Sequence, residues 1–275
     1  MMTETSAPVF GVAGCGTMGL PMARRLVAAG FEVWGFDVRP VSEFGDFAGR
    51  MIADPNDFAE RVDVVVSVVR DHRQTIDLCF DDQGLFDVDG WPDTLIVCST
   101  LSPGVLPEIA ARLPEDVSLI DAPMSGAPAR AEDGSLTFMV GGDDDAVAAL
   151  SPAFQAMGRD IHHLGGVGTG MTCKVVNNFL AVSGVVAVRK AMASAERLGL
   201  NPQTLLDVAR SSSGSTWYGD NMARISWAAE GYDPQNTIGI LEKDLLSYLD
   251  AIDGEPGEFE TALLAEIRRM EPLQT

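Results

Sequence analysis

Residues 9–19 read Val-Phe-Gly-Val-Ala-Gly-Cys-Gly-Thr-Met-Gly, and residues 31–37 read Phe-Glu-Val-Trp-Gly-Phe-Asp. Val9 to Ala13 is the short apolar run expected of a buried parallel strand, and Phe31 to Phe36 reads as a second. Between them Pro21, Met22, Leu26 and Val27 space out a helix that begins beyond Gly19 and stops at Gly30. Strand, glycine turn, helix, strand and acid thus follow in the order that a dinucleotide-binding βαβ unit requires.

Each position in the turn has a physical reason. Gly14 permits the tight bend, Gly16 lets a pyrophosphate approach the backbone, and Gly19 lets the helix lie close to the strand. Thr17 and Met18 complete the turn, and the helix N-terminus offers N–H groups and positive dipole to phosphate. Asp37, 18 residues past Gly19, is placed to hydrogen-bond adenosine ribose hydroxyls. It predicts NAD, because a carboxylate repels the 2′-phosphate of NADP. Arg39 is near enough to bind that phosphate, so NADP stays open as the alternative.

The α/β alternation continues downstream. Strands are expected at 63–69, 94–98, 117–120, 136–140 and 160–163, with a helix opening at Asp143. Ligands of such sheets sit beyond the carboxyl ends of the strands, which places Val69, Arg70 and Thr100 to line the nicotinamide half of a groove. From 121 to 142 the chain reads Asp-Ala-Pro-Met-Ser-Gly-Ala-Pro-Ala-Arg and onward to Gly141-Gly142, a rigid exposed turn about Ser125-Gly126. A hydroxyl beside backbone N–H groups there, with Ala127 next in line, suits a substrate carboxylate or carbonyl oxygen; a plain turn serine is the alternative.

After Gly170 the pattern becomes helical. Gly165 to Gly199 opens on glycines and then runs without proline, with Gly184 the only interior glycine. Such a helix spans about 42 Å, long enough to link two domains. Further helices are expected at 202–211, 217–229, 237–252 and 259–269. The expected fold is an α/β N-terminal Rossmann-type domain over 1–164 and an all-α C-terminal domain over 165–275, joined by this long interdomain helix. A helical domain with no sheet of its own packs on itself or on a partner chain, so a homodimer or homotetramer through these helices is expected.

Lys174 is the one early charge on the long helix, and Asn178, four residues on, shares its face. Only three of the nineteen basic residues are lysine: Lys174, Lys190 and Lys243. An ammonium beside Cys173, Val175 and Val176 is therefore read as a catalytic group rather than casual surface charge. Lys243, followed by Asp244, is read towards function for the same scarcity, against the simpler reading of an exposed charge pair.

Composition sets further bounds. At 46% hydrophobic over 275 residues the chain can bury a real core, and no uninterrupted apolar run approaches the ~18 residues of a membrane span. The N-terminus shows no basic-then-apolar leader. Four scattered cysteines without a CxxC pair read as reduced thiols, which with the missing leader points to the cytoplasm. The histidines show no metal spacing. Forty acidic residues give a net charge of −21, which argues against nucleic-acid binding.

Four blocks in order carry a family resemblance: Gly14 to Gly19 with Met22-Ala23; Asp121-Ala122-Pro123-Met124-Ser125-Gly126; Gly168-Thr169-Gly170 to Lys174 with Asn177-Asn178; and Lys243-Asp244-Leu245. Together they resemble the β-hydroxyacid dehydrogenase family, which includes 3-hydroxyisobutyrate dehydrogenase and tartronate semialdehyde (glyoxylate) reductase types. The resemblance implies a nicotinamide-dependent oxidoreductase acting on a small hydroxy acid. Lys174 would be its general acid/base, Asn178 with Ser125-Gly126 would position substrate, and Lys243 would reach over the cofactor. Thr100, Val69 and Arg70 would contact the nicotinamide side. The alternatives are an NADPH-dependent reductase of small semialdehydes or imines, and a catalytically silent NAD-binding module; retained Lys174 speaks against imine reduction and against silence. The chain departs from the family pattern at Ala127 and Ala129, where glycines are usual, and after Asp253, where the usual closing acidic–serine motif is missing. Arg130, in the same loop, is a candidate for a second anionic group of the substrate.

The acidic, lysine-poor composition has two readings, adaptation to high salt or codon bias in a GC-rich genome. Thermal unfolding from dilute buffer to molar KCl separates them. Salt adaptation predicts a Tm that climbs with KCl; full stability in dilute buffer removes it.

Overall fold

A computed structural model describes residues 7–88, 90–252 and 255–273. Residues 1–6, which the absence of a leader concerns, and 253–254, where the C-terminal departure begins, lie outside the described residues. The chain divides into two compact units, Met1–Lys174 and Val175–Thr275.

The first unit contains strands β1 (Phe10–Ala13), β2 (Val33–Phe36), β3 (Val64–Ser67), β4 (Thr94–Val97), β5 (Ser118–Asp121), β6 (Met124–Ser125), β7 (Leu136–Val140) and β8 (Gly158–His163). Its helices are α1 (Gly19–Ala28), α2 (Pro55–Ala59), α3 (His72–Phe80), α4 (Leu106–Arg112), α5 (Pro128–Glu132) and α6 (Asp144–Met157). The first five strands form one parallel sheet in the order β2-β1-β3-β4-β5. β1 and β3 are buried along their whole length, as strands covered on both faces must be. α1 lays Met22, Ala23 and Leu26 against the sheet, and residues such as Phe10, Phe58 and Phe138 are almost fully enclosed. Each such ring contributes about 1.5–3 kcal/mol relative to exposure.

The glycines of the first turn are sterically required. Gly14 has φ +91°, and a Cβ there would sit 2.6 Å from the Val68 carbonyl oxygen. A Cβ on Gly19 would collide with the Gly14 carbonyl oxygen, so α1 can approach β1 this closely only with glycine at its start.

The strands beyond β5 do not extend this sheet. β6, β7 and β8 form a separate sheet, with β6 antiparallel and β7–β8 parallel. The two sheets are stitched at one residue: Asp121 N–H donates to the Gly141 carbonyl at 2.9 Å, and Gly141 N–H donates back at 2.8 Å. The segment expected to be an exposed turn is partly β6, and Ser125 is half-buried opposite Thr137.

α7 (Thr169–Arg197) begins in the first unit and continues into the second. By length and mean hydropathy it is also long enough to cross a membrane, which counting uninterrupted apolar residues overlooks; its apolar stretch is broken by asparagine and serine, and 44% of the relevant window is buried. The second unit adds α8 (Pro202–Arg210), α9 (Trp217–Asn221), α10 (Thr237–Ala251) and α11 (Glu258–Arg268). The single helix expected over 217–229 is instead α9 and a 3-10 turn at Met222–Arg224. Side-chain capping explains the start: the Thr216 hydroxyl accepts from Gly219 N–H.

Val182, Val185 and Val186 form the buried stripe of α7 in this unit, joined by Leu206, Ile238, Leu241, Leu245, Leu263 and Ile267. Arg189 falls on that same stripe and is 8% exposed. Its guanidinium donates to the carbonyls of Ala228 (2.6 Å), Glu230 (2.6 Å) and Glu271 (2.9 Å) and to the Tyr218 hydroxyl (3.2 Å). Buried carbonyls that lose a donor cost about 1–3 kcal/mol each. Arg189→Met is expected to destabilise the chain by about 3 kcal/mol, read as a lower urea midpoint; a loss below about 1 kcal/mol would show that water replaces the guanidinium.

Candidate functional site

Parallel register aligns the ends of the five strands. Ala13 is opposite Phe36 and Ser67, Ser67 is opposite Val97, and Val97 is opposite Asp121. The loops that follow therefore leave one edge of the sheet, the edge where ligands of such sheets bind. Gly14 to Gly19, Asp37, Val69-Arg70 and Ser99-Thr100 all stand in these loops. The Ser99 hydroxyl donates to the Val69 carbonyl at 2.7 Å, tying two of the loops together.

The glycine turn fits a pyrophosphate. Gly16 and Thr17 are exposed, a Cβ on Gly16 would meet nothing within 4 Å, and α1 has no side-chain cap at its N-terminus. Open backbone at an uncapped helix start is the geometry that receives an anion. Cys15 faces the other way, buried with its thiol against the Val12 carbonyl, and burial pushes its pKa up to about 12. It is packing, not a nucleophile.

Asp37 follows β2 directly, with its side chain 9% exposed. Arg39 lies on it: Nε donates to Oδ1 at 3.0 Å, Nη2 donates to Oδ2 at 3.1 Å, and Nη2 also reaches the Cys15 carbonyl at 2.9 Å. The guanidinium stacks over Phe44 at 4.8 Å. The acid read as the ribose ligand is thus already neutralised by its neighbour, a pairing that two-residue spacing hinted at but did not fix.

Ser125 and Gly126 stand at the end of β6, and Ala127 caps α5. Arg130 is turned towards Asp160, at 3.7 Å, so the structure gives it a protein partner in the role once open to a substrate anion. Lys174 is 8% exposed on α7, among the most buried charges described. It lies one turn from the helix start, where both carboxylate oxygens of Asp121 receive backbone N–H groups: Gly168 to Oδ1 at 2.7 Å and Met171 to Oδ2 at 2.6 Å. Burial holds the Asp121 pKa above the usual carboxylate value, although these N–H bonds oppose the shift. A carboxylate capping a helix 47 residues away leaves no local sequence pattern, so Asp121 is not legible as a cap beforehand.

In the second unit, Asn178 is 6% exposed, and its Nδ2 donates to Asp244 Oδ2 at 2.8 Å. Asp244 also pairs with Lys243, whose Nζ is 3.8 Å from Oδ1. The adjacent Lys-Asp pair is thereby more than a surface pair, since the acid fixes which way the asparagine amide points. Asn178 and Asp244 were both visible, in the third and fourth sequence blocks respectively, but nothing in the sequence showed a contact between them.

Known proteins resemble this chain over most of its length. Residues 9–166 match the family described as the NAD binding domain of 6-phosphogluconate dehydrogenase, and residues 168–270 match the NAD-binding of NADP-dependent 3-hydroxyisobutyrate dehydrogenase family. The L-threonate dehydrogenase of Cupriavidus necator is 34% identical over 246 residues, 88% of this chain and 82% of the relative. The NAD-dependent L-serine dehydrogenase of Pseudomonas aeruginosa is 38% identical over 208 residues, 74% of this chain and 70% of the relative. Among solved structures, Mycobacterium tuberculosis 3-hydroxyisobutyrate dehydrogenase with L-serine superposes with a TM-score of 0.79 at 27% identity, covering 96% of both chains.

Proposed function

The chain belongs to the β-hydroxyacid dehydrogenase family and is an NAD-binding oxidoreductase of hydroxy acids; from that premise we propose that it oxidises a small 3-hydroxy acid of the 3-hydroxyisobutyrate kind, with Lys174 as general acid/base. The observation that carries this reading is the burial of Lys174 at 8% exposure, on a helix whose start is bonded to the end of β5. Lysine is otherwise almost absent from the chain, so a buried one has a specific use.

Gly14, Gly16, Thr17, Met18 and Gly19 hold the pyrophosphate, Asp37 the adenosine ribose, and Val69, Arg70 and Thr100 the nicotinamide side. A bound nicotinamide supplies the hydride acceptor. Oxidation needs the hydroxyl proton to leave as hydride departs from the same carbon, and the Lys174 amine takes that proton. The Ser125 hydroxyl and the backbone of Gly126 and Ala127 receive the substrate carboxylate. In this reading Asn178, its amide oriented by Asp244, would steady the reacting hydroxyl, and Lys243 would reach over the cofactor, as the family resemblance implies. L-Threonate, L-serine and 3-hydroxyisobutyrate, the substrates in the relatives' names, share a carboxylate and a hydroxyl on the third carbon, which supports this division of labour. Pairing of two or four copies through the helical unit belongs to the same proposal, supported by Leu180, Leu198, Val208 and Trp217, which are exposed there. The four cysteines, all free, suit a cytoplasmic setting.

The Arg39–Asp37 pair favours a second reading, an NADPH-dependent reductase of small semialdehydes, because the charge that would repel a 2′-phosphate is offset. A screen of NAD⁺ and NADP⁺ against short 3-hydroxy acids in low and high salt decides between them. NAD⁺ is expected to give the higher kcat/KM; equal or better rates with NADP⁺ overturn the leading reading. In the same assay Arg39→Ala is expected to lower kcat/KM for NADP⁺ by about tenfold or more, since a charge-assisted bond is worth about 1.5–3 kcal/mol, with little change for NAD⁺. Lys174→Ala is expected to reduce kcat by about a hundredfold or more while the NAD⁺ Kd stays within twofold. Wild-type turnover in that variant would sink the mechanism.

A further inference from the structure

α7 begins without a side-chain cap from its own neighbourhood, because the residue before Thr169 is Gly168, held at φ +95°. The first N–H groups of a helix need acceptors. Here they find one in a carboxylate from another element, Asp121 at the end of β5, which is fully buried. Its two oxygens take different donors, Gly168 at 2.7 Å and Met171 at 2.6 Å, so both the position and the rotation of the first turn are set. Asp121 itself cannot shift easily. Its backbone is bonded in both directions to Gly141, and the next N–H, of Ala122, donates to the Val97 carbonyl at 2.8 Å. Gly170 is packed so closely that a Cβ there would lie 2.8 Å from the Asp121 carbonyl oxygen and 2.9 Å from Oδ2.

Such a joint is costly. Burying a carboxylate raises its pKa, so protonation would stabilise the fold at low pH, and this contribution is lost as pH rises through the folded value. What the joint fixes is the start of α7, and with it the place of whatever the helix carries. Met171 is three residues before Lys174, and any change in where the helix starts moves that side chain with it.

We propose that Asp121 is a positioning residue for Lys174: by bonding Gly168 and Met171 it fixes the register of α7 on the sheet edge and so the place from which the lysine takes its proton. This rests on the reading of Lys174 as the general base. Asp121 touches neither substrate nor cofactor in this role; it acts through the helix.

The test uses the full-length enzyme, NAD⁺ and the best 3-hydroxy acid from the screen, at a temperature well below every variant's Tm. Asp121→Asn keeps the size of the side chain but replaces one acceptor oxygen with a donor that opposes an N–H. It is expected to lower kcat by about ten- to a hundredfold, the range a displacement of about 1 Å produces, with the NAD⁺ Kd and substrate KM within twofold and a larger solvent deuterium isotope effect on kcat. Gly141→Ala disturbs the joint without removing the acid, because the added Cβ would collide with Asp121 Oδ1. It is expected to show the same split more weakly, and it serves if Asp121→Asn does not fold. A lower Tm in either variant with unchanged kcat and isotope effect would reduce Asp121 to a structural cap and overturn the proposal. Lys174→Ala run alongside separates the two ideas. If that variant turns over normally, the general-base reading fails and this inference with it; if it is inactive while both joint variants keep wild-type kcat, this inference alone fails.

Discussion

A parallel sheet cannot scatter its connections. Once β1 is paired in register with β2 and β3, and β3 with β4 and β4 with β5, the five carboxyl ends fall in one line and every following loop leaves the same edge. Residues distant in sequence, from Gly14 to Asp121, are thereby delivered to one rim without any contact being needed between them. What this geometry requires is close approach between α1 and β1, and the glycines at 14 and 19 provide it by removing side chains that would strike backbone. The chemistry of the first unit depends on that rim more than on any single residue.

The strands of the five-stranded sheet were legible because a strand buried on both faces must be apolar throughout, and short runs such as Val64-Val65-Val66 admit few other readings. Helices α8, α10 and α11 were legible from periodicity and their stop signals within a few residues. What the sequence could not reveal was partnership. Periodicity does not say that β7 leaves the main sheet and pairs with β6 and β8, since an apolar run looks the same in either sheet. The expected helix over 217–229 failed for a related reason: Trp217, Tyr218, Ile225 and Ala228 have helical spacing, yet the chain departs from the helix after Asn221 and still buries Tyr218, Ile225 and Ala228.

The candidate site divides along the same line. Residues with a local signature, the glycine turn and the acid after β2, were found from spacing alone. Lys174 stood out because lysine is scarce, a compositional signal independent of structure. The groups that orient others, Arg39 on Asp37 and Asp244 on Asn178, were visible as residues but not as partners, because which atoms meet depends on tertiary placement. Resemblance to a family names the reacting groups more readily than the groups that hold them still.

Arg189 gives the end of the chain an unexpected status. In a protein with forty acidic residues, its most deeply placed arginine uses backbone carbonyls and a phenol as acceptors, and one of those carbonyls belongs to Glu271. Leu273 N–H is bonded to the Ala229 carbonyl, and Tyr232 N–H to that of Met270. The last described residues are therefore tied into the helical unit through backbone carbonyls, which do not titrate as carboxylates do. Disturbing residues 271–273 would be felt at Arg189, in the core of the helical unit.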